Sequence, residues 1–413
     1  MKRFGFPAWW LIPAGLTRLA CMAIGFHGDL YSIYWRAHQA VYHGDTIVHN
    51  QLLAHIVHVV WLWMLKIFHL IPREIWLYPF DYETGWRLLA MHPHAPVLLV
   101  LLKLPYLVVE ILCFFVLLKI IPAASRRSVA LFWLANPLIL YGVHLYGRYE
   151  SFPVLFVLLM FLALKRGRPV LGFASLVASV MVRLYTCALI PLYLWLVPRN
   201  RRQGVSMGLF LVIPFAGVLL YQFLTAGSFA LFRDNAEVIS LLTMPHRVFL
   251  FAAYIPLLQA DVIYLFPLSM ILIYLAAIDA KRPISADGMW RWGAWMTYLL
   301  FALTYFHPQW SVWLVPYLAI QRVSRRRVFY LTWIMAICLL FYTFQFDREA
   351  SVLLFAPLGP ASFDTWTHPM EILDRLRMGG VVVGLFRTLF TGCLIHLGWL
   401  ARRDRPLVDS VAA

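Results

Sequence analysis

The sequence predicts an all-α polytopic membrane protein that forms a single integral membrane domain over residues 1–413. Hydrophobic side chains make up 62% of the 413 residues and charged side chains only 13%, and the mean hydropathy is +0.75. A soluble fold has too little interior to hide so much apolar surface. The apolar residues also come in repeated runs, as helices that cross a bilayer require.

These runs predict about 12 membrane segments, at 7–25, 96–121, 127–144, 151–164, 170–182, 185–197, 206–226, 261–278, 289–305, 309–321, 328–346 and 380–400. The first run follows Met-Lys-Arg without a small-x-small cleavage site, so we expect an uncleaved first helix. Short basic clusters adjoin the runs, and the positive-inside rule then places the N-terminus in the cytoplasm. The same placement explains the net charge of +16 without a nucleic-acid partner.

This orientation sends the longer connections to the outer side, at 26–95, 147–150, 227–260 and 347–379. The first external loop, 26–95, holds an apolar run at 51–71 that is interrupted by His55, His58, Lys66 and His69. If this run were a span, the basic clusters would no longer all fall on the cytoplasmic side. We therefore expect a helix that lies at the outer interface, and a similar one in 227–260.

The stretch between Arg168 and Arg199 is too long for one straight span and too short for two. Arg183 interrupts it near the middle. We expect two short helices that dip into the membrane, broken near 183–186. Broken helices at membrane depth are tolerated where they line a protein-walled or wet cavity, so this break predicts an internal site.

Asp29 is the first carboxylate of the chain and follows the first helix in His27-Gly-Asp29. It is the candidate general base, because deprotonation of an attacking hydroxyl needs a carboxylate within hydrogen-bond reach. The simpler alternative is a solvated residue or a helix cap. Asp45 is a rival base, and Glu150 is another.

Other charged residues allow two readings. Arg183 is a candidate phosphate ligand, or it pairs with a carboxylate such as Glu150 or Glu110. Glu110, alone in the second main span, is interpreted as a buried pairing or packing residue. Nine histidines in the first 94 residues allow a metal site, but no cysteine or close-spaced carboxylate completes a ligand set, so we expect none.

Several motifs follow in a characteristic order: Gly28-Asp29, Lys103-Leu-Pro105, Asn136-Pro137, Gly147-Arg-Tyr-Glu150, the break at Arg183, and His307-Pro-Gln-Trp-Ser-Val-Trp-Leu-Val-Pro316. This order resembles the GT-C superfamily of membrane glycosyltransferases, and it is most similar to the polyprenol-phosphate-mannose-dependent mannosyltransferases. The resemblance covers most of residues 10–320. It implies transfer of a sugar from a polyprenyl phosphate to a hydroxyl on the outer face of the membrane, usually with inversion.

The resemblance also implies roles for individual residues. Asp29 matches the family's catalytic base, and His307 matches a functional histidine of some members. The expected substrate-binding residues are Arg148, Glu150, Arg183, Tyr185, Gln309 and Trp310. Arginine forks can compensate the charge of a phosphate leaving group, so the expected mechanism needs neither cofactor nor metal.

The expected partners are a polyprenyl-phosphate sugar, a glycan, glycolipid or protein acceptor, and the bilayer of the plasma (inner) membrane. Many relatives have Tyr-Pro-Pro in the first external loop, Gly-Gln-x-Asp in place of Gly147-Arg-Tyr-Glu150, and lysine in place of Arg183. These departures leave the acceptor open. The alternatives are a secondary transporter for a sugar or lipid-linked substrate, which also uses broken helices and buried charges, and a non-catalytic lipid-binding subunit.

Overall fold

A computed structural model describes residues 7–44, 51–72, 82–197, 199–226, 249–257, 262–279, 286–359 and 362–404. The fold is almost entirely helical. The helices of the first half are α1 (Leu11–Ile24), α2 (Gly28–His43), α3 (Leu52–Ile67), α4 (Tyr82–Met91), α5 (Ala95–Ile120), α6 (Arg126–Leu134), α7 (Pro137–Ile139), α8 (Ser151–Lys165), α9 (Pro169–Val182), α10 (Leu189–Leu196) and α11 (Arg201–Ala226). Those of the second half are α12 (Leu265–Asp279), α13 (Ala286–Leu303), α14 (Val315–Gln321), α15 (Arg327–Tyr342), α16 (Pro369–Arg375) and α17 (Gly379–Ala401).

Five helical segments of the described chain are long and apolar enough to cross a bilayer: Ala95–Ile120, Ala123–Leu145, Arg201–Tyr221, Arg327–Gln345 and Gly379–Ala401. A sixth is obtained if α1 and α2, bent by 79°, count as one span. Five further apolar helices are shorter, among them α3, α8 and α9. These helices are compatible with an all-α membrane protein, whereas the number of about 12 segments stays a prediction.

The described part of 227–260 departs from the expected interfacial helix. It contains the short 3-10 helix Phe249–Phe251 and the strand β1 (Tyr254–Pro256). β1 pairs antiparallel with β2 (Val262–Tyr264), with Tyr254 opposite Tyr264. Tyrosine, valine and isoleucine favour strands, so this segment forms a strand and not a helix.

Two helix groups form the core. In the first, α8 packs between α5 and α9, and in the second, α17 packs against α13 and α15. The 3-10 helix Pro308–Leu314 contacts α8 of the first group and α13 of the second. The buried aromatic residues Trp133, Trp290, Tyr106 and Tyr317 are among the largest side chains of this core.

Breaks in the helices determine where charged side chains emerge. α1 ends at Ile24, and a Cβ on the next residue, Gly25, would lie 2.1 Å from the carbonyl oxygen of Leu145, so only glycine allows this approach. Asn136 caps α7 by accepting the N–H groups of Leu138 and Ile139, which is the usual role of asparagine at a helix start.

The segment after α7 continues as a π-helix, Leu140–Leu145. The predicted break at 183–186 is confirmed: α9 ends at Val182, Arg183 is extended, and Leu184–Ala188 is a 3-10 helix.

A buried ion pair joins α1 to α5. The Arg18 guanidinium contacts both oxygens of Glu110 at 3.0 Å, and the Trp133 indole N–H donates to the same carboxylate at 2.5 Å. Arg18 and Glu110 are 2% and 3% exposed, so each charge depends on the other for compensation. The interpretation of Glu110 as a buried pairing residue is confirmed.

Removal of one member of this pair should destabilise the fold far more than removal of both. In Glu110→Met, Arg18 stays buried without a counter-charge, and we expect a loss of about 3–5 kcal/mol in the free energy of unfolding. In the double variant Arg18→Met/Glu110→Met, apolar groups fill the site and most of the loss should be recovered. Denaturant unfolding of the purified protein measures both, and equal destabilisation of the two variants would contradict the pairing.

Candidate functional site

Asp29 lies in the first turn of α2, immediately after the bend. His27 precedes the helix as its N-cap, and its Nδ1 accepts the backbone N–H of Asp29 at 3.0 Å. The carboxylate oxygen Oδ2 lies 3.4 Å from Nε of Arg148, and Nε2 of Gln309 donates to it at 3.5 Å. The side chain is 36% exposed, so one side of the carboxylate is open to a ligand.

The surroundings keep this carboxylate ionised. Burial acts to raise the pKa of Asp29, but the positive groups around it, Arg148 foremost, together outweigh burial, and the pKa lies at about 2. A helix N-terminus also favours a negative charge. Burial lowers the pKa of His27 to about 4, so the ring is neutral at pH 7 and its Nδ1 can accept the N–H of Asp29.

The turn Gly147–Glu150 contributes the second part of the site. Gly147 has a φ of +79°, and a Cβ there would lie 2.5 Å from Cε of Lys103. In addition to its contact with Asp29, the Arg148 guanidinium lies 3.9 Å from Oε1 of Glu150 and over the ring of Tyr149. Among the described residues its side chain takes part in these charge and ring contacts without a hydrogen bond of good geometry. Its N–H groups are therefore available to an anion.

Glu150 is fully buried and holds Arg183 in place. Arg183 Nη2 donates a hydrogen bond to Oε1 of Glu150, and the indole N–H of Trp313 donates to Oε2 at 2.6 Å. The guanidinium also lies over the Tyr149 ring, 4.6 Å from its centroid. The alternative in which Arg183 pairs with Glu150 is thus what the structure shows, and the ring of Tyr149 contacts both arginines.

Stacked aromatic rings form a wall beside these charges. Tyr185 stacks on Trp313 at 3.7 Å and 3°, and Trp313 stacks on Trp310 at 5.2 Å and 8°. Trp310 and Trp313 belong to the 3-10 helix Pro308–Leu314, in which side chains three residues apart eclipse one another. This periodicity explains why their rings are parallel.

His307 directly precedes this 3-10 helix as its N-cap residue, and its ring meets that of Trp310 edge-on at 5.2 Å. It also contacts Phe346. Desolvation lowers the pKa of His307, which leaves the imidazole neutral at pH 7 and able to donate at one nitrogen and accept at the other.

All eight predicted site residues belong to one contact network. Asp29 contacts Arg148 and Gln309, and Arg148 leads through Glu150 to Arg183. The network continues through Trp313 to Tyr185, Trp310 and His307. The structure thus brings these side chains together, while their chemical roles stay predictions. The rival base Asp45 lies outside the described residues.

Two residues of this network, Tyr149 and Trp313, were not among the predicted site residues. Tyr149 lies between Arg148 and Glu150 in the same turn, so its position between two predicted site residues could have identified it from the sequence. Trp313 follows Trp310 by three residues, but only the 3-10 geometry shows that it also reaches Glu150. In the described chain, no group of three or more His, Cys, Asp and Glu side chains could hold a metal ion.

Lys103 connects the two backbone segments that carry Asp29 and Arg148. It is 0% exposed, and its ammonium donates to the carbonyls of Met22 at 3.1 Å, Gly25, His144 at 3.0 Å and Leu145 at 3.2 Å. The first two carbonyls end α1, and the other two end the π-helix. Carbonyl groups at helix C-termini carry partial negative charge, which compensates the buried cation.

Loss of this contact should destabilise the protein strongly. Lys103→Met leaves up to four backbone carbonyls without their donor, and each buried unpaired polar group costs about 1–3 kcal/mol. Lys165→Met is the matched control, because Lys165 is only half-buried and its ammonium also donates to a backbone carbonyl, that of Ile120, at 2.8 Å. Thermal unfolding of the detergent-purified variants should show the much larger decrease in Tm for Lys103→Met. Equal decreases in Tm would show that the contact of Lys103 with four carbonyls stabilises the protein no more than the contact of Lys165 does.

Comparison with known proteins returns no relative of this chain. No family model matches it, and no curated protein and no solved structure matches it either. The resemblance to the GT-C superfamily therefore rests on the order of motifs and stays a prediction.

Proposed function

We propose that this protein is a membrane glycosyltransferase of the GT-C type. It would transfer a hexose, with mannose favoured by the motif order, from a polyprenyl phosphate to an acceptor hydroxyl. The observation that carries the proposal is the pairing of an ionised, partly open carboxylate, Asp29, with the guanidinium of Arg148 at 3.4 Å. This pairing supports the proposal because a carboxylate can accept a proton and a guanidinium can bind an anion.

The proposed reaction is a single displacement with inversion. The acceptor hydroxyl oxygen attacks the anomeric carbon while its proton passes to the Asp29 carboxylate. The bond between the anomeric carbon and the phosphate oxygen breaks, and its electron pair leaves with the polyprenyl phosphate. Arg148 compensates the charge that grows on that phosphate, since guanidinium forks bind phosphate oxygens well.

Donor binding would also strengthen the base. In the free protein Arg148 is the foremost of the positive groups that oppose burial and keep the pKa of Asp29 at about 2, which makes the carboxylate a weak proton acceptor. A donor phosphate that engages Arg148 neutralises part of that charge. The carboxylate then becomes more basic at the moment when the acceptor must lose its proton.

The aromatic wall and two polar groups suit a sugar. Stacked indole and phenol rings, as in Trp310 and Tyr185, present flat apolar faces to the C–H groups of a pyranose. Gln309 already reaches Asp29, and the neutral His307 lies next to Trp310. In the proposal these two side chains orient the sugar or the acceptor, and the Glu150–Arg183 pair fixes the wall through Trp313.

The proposal places the site on the outer face of the plasma (inner) membrane, with the N-terminus in the cytoplasm. This placement follows the distribution of the basic clusters. The acceptor would be a hydroxyl of a glycan, glycolipid or protein. The abundance of apolar helices suits a lipid-linked donor that enters from the bilayer.

Asp29→Asn tests the proposal most directly. The variant keeps the shape of the side chain but cannot accept the proton, so the transfer rate should fall by about 10²–10⁴-fold. The assay incubates the purified protein with a panel of polyprenyl-phosphate sugars and measures sugar transfer to acceptors. Asp279→Asn, at an exposed helix end, is the control and should keep full activity.

An Asp29→Asn variant that inserts normally and transfers at the wild-type rate would refute the role of Asp29. Sugar uptake into vesicles without any transfer product would favour the transporter instead.

The pH dependence of kcat/KM supplies a second test, since this parameter reports the ionisation of the free enzyme. With a pKa of about 2, Asp29 is in its proton-accepting form throughout the mildly acidic and neutral range, so the wild type should show no acid limb there. Arg148→Gln removes the largest of the interactions that oppose burial, so the pKa of Asp29 should rise. Its residual activity should therefore decline at a higher pH than that of the wild type. A wild-type limb near neutrality that Asp29→Glu does not move would argue against Asp29 as the base.

A further inference from the structure

A pocket of about 390 Å³ lies between the starts of the helices α9 and α11, within the roughly 300–1,000 Å³ typical of ligand sites. One end of the pocket is polar, because Arg168 directly precedes α9 and Gln203 lies in the first turn of α11. Ala174 and Phe210 line the pocket six and seven residues further along the two helices, a distance of about 10 Å. The lining thus changes from polar to apolar within two helical turns.

The polar end of this pocket belongs to a dense cluster of positive charge. Five arginines lie in the segments that lead into the two helices: Arg166, Arg168, Arg199, Arg201 and Arg202. All five are exposed, and within the described chain none of them forms an ion pair with a carboxylate. The sequence itself has no Asp or Glu between Glu150 and Asp234. These guanidinium groups are therefore available to an anion from outside the protein.

The apolar end of the pocket is open to the surroundings of the protein. Helix α11 lies largely outside the helix core, since only 6% of its stretch Arg201–Tyr221 is buried, and its main contact is with α9. Leu171 on α9 is 53% exposed, and Phe210 on α11 is 46% exposed. In a bilayer these side chains contact acyl chains, while the arginines lie at the level of the headgroups.

We infer that this pocket binds an anionic phospholipid, with the headgroup phosphate at Arg168 and one acyl chain along Leu171, Ala174 and Phe210. Guanidinium forks bind phosphate oxygens well, and basic pockets between membrane helices are typical sites for such headgroups. The positive-inside rule explains basic residues on this side of the membrane, but it requires no pocket beside them. The inference goes beyond the proposed function, because the pocket shares no lining residue with the Asp29 site.

Two matched pairs of variants separate a specific site from a general attraction of lipid to basic residues. Arg168 and Arg326 are both exposed and directly precede a helix, α9 and α15 respectively, but of the two it is Arg168 that lines the pocket. Leu171 and Leu209 are 53% and 54% exposed, and of these two it is Leu171 that lines the pocket. Tryptophan at Leu171 should narrow the pocket, whereas tryptophan at Leu209 should leave it open.

The test is photolabelling of the full-length protein in phosphatidylcholine nanodiscs that contain phosphatidylglycerol with a diazirine in one acyl chain. We expect labelled peptides from 169–174 and 203–210. Arg168→Gln should reduce this labelling about fivefold, the usual effect of one arginine on an anionic lipid, and Leu171→Trp should reduce it by steric exclusion. Arg326→Gln and Leu209→Trp should label like the wild type, and the Tm of each variant shows whether it is folded.

A phosphatidylcholine probe with the same diazirine should label these peptides weakly, and equal labelling by it would overturn the inference. An equal loss of labelling in folded Arg326→Gln would show a general attraction to basic residues and would also overturn it. If soluble glycerol 3-phosphate competed as well as phosphatidylglycerol, the site would bind free phosphate esters and not a lipid. The result is independent of the proposed transferase, because neither the probe nor the measurement involves a sugar donor.

Discussion

The buried ammonium of Lys103 is the contact on which the geometry of the charged cluster depends. It lies among four backbone carbonyls, two from the end of α1 and two from the end of the π-helix. Gly25 and Gly147 allow the backbones to come this close, because side chains at either position would overlap their neighbours. Asp29 follows the first of these segments and Arg148 the second. One buried charge therefore fixes the relative position of both members of the site's ion pair.

The two arginines that the sequence presents as equivalent phosphate ligands differ in how they are held. Arg183 donates a hydrogen bond to the fully buried Glu150, whose other oxygen accepts the Trp313 indole, so its orientation is fixed. Arg148 has carboxylates at 3.4 and 3.9 Å, but within the described ranges its Nε has no hydrogen bond of good geometry. A ligand phosphate can therefore bind Arg148 without breaking an existing hydrogen bond. In the proposed mechanism Arg148 binds the phosphate, and Arg183 supports the aromatic wall.

The sequence predicted well those features that depend on local chemistry. Glycine, proline and an isolated arginine in apolar surroundings mark breaks, and the break at Arg183 is where it was expected. Glu110 was expected to be paired because an uncompensated charge in an apolar helix is costly. The partners of Lys103 could not be predicted, because they are backbone carbonyls from distant segments. The number of spans could not be derived from hydropathy alone, since several apolar helices are too short to cross a bilayer unaided.

Helix α2 carries the candidate base of the proposed function in its first turn. Its N-terminus favours the carboxylate of Asp29 by the orientation of its peptide dipoles. Its 79° angle to α1 excludes a straight continuation of the first span. The helix instead continues to His43 and packs against α3. Because Asp29 lies in the first turn of this packed helix, the packing of α2 sets the position of the carboxylate relative to Arg148. In the proposed reaction that position, and not the identity of the sugar, determines where the acceptor hydroxyl must lie when it loses its proton.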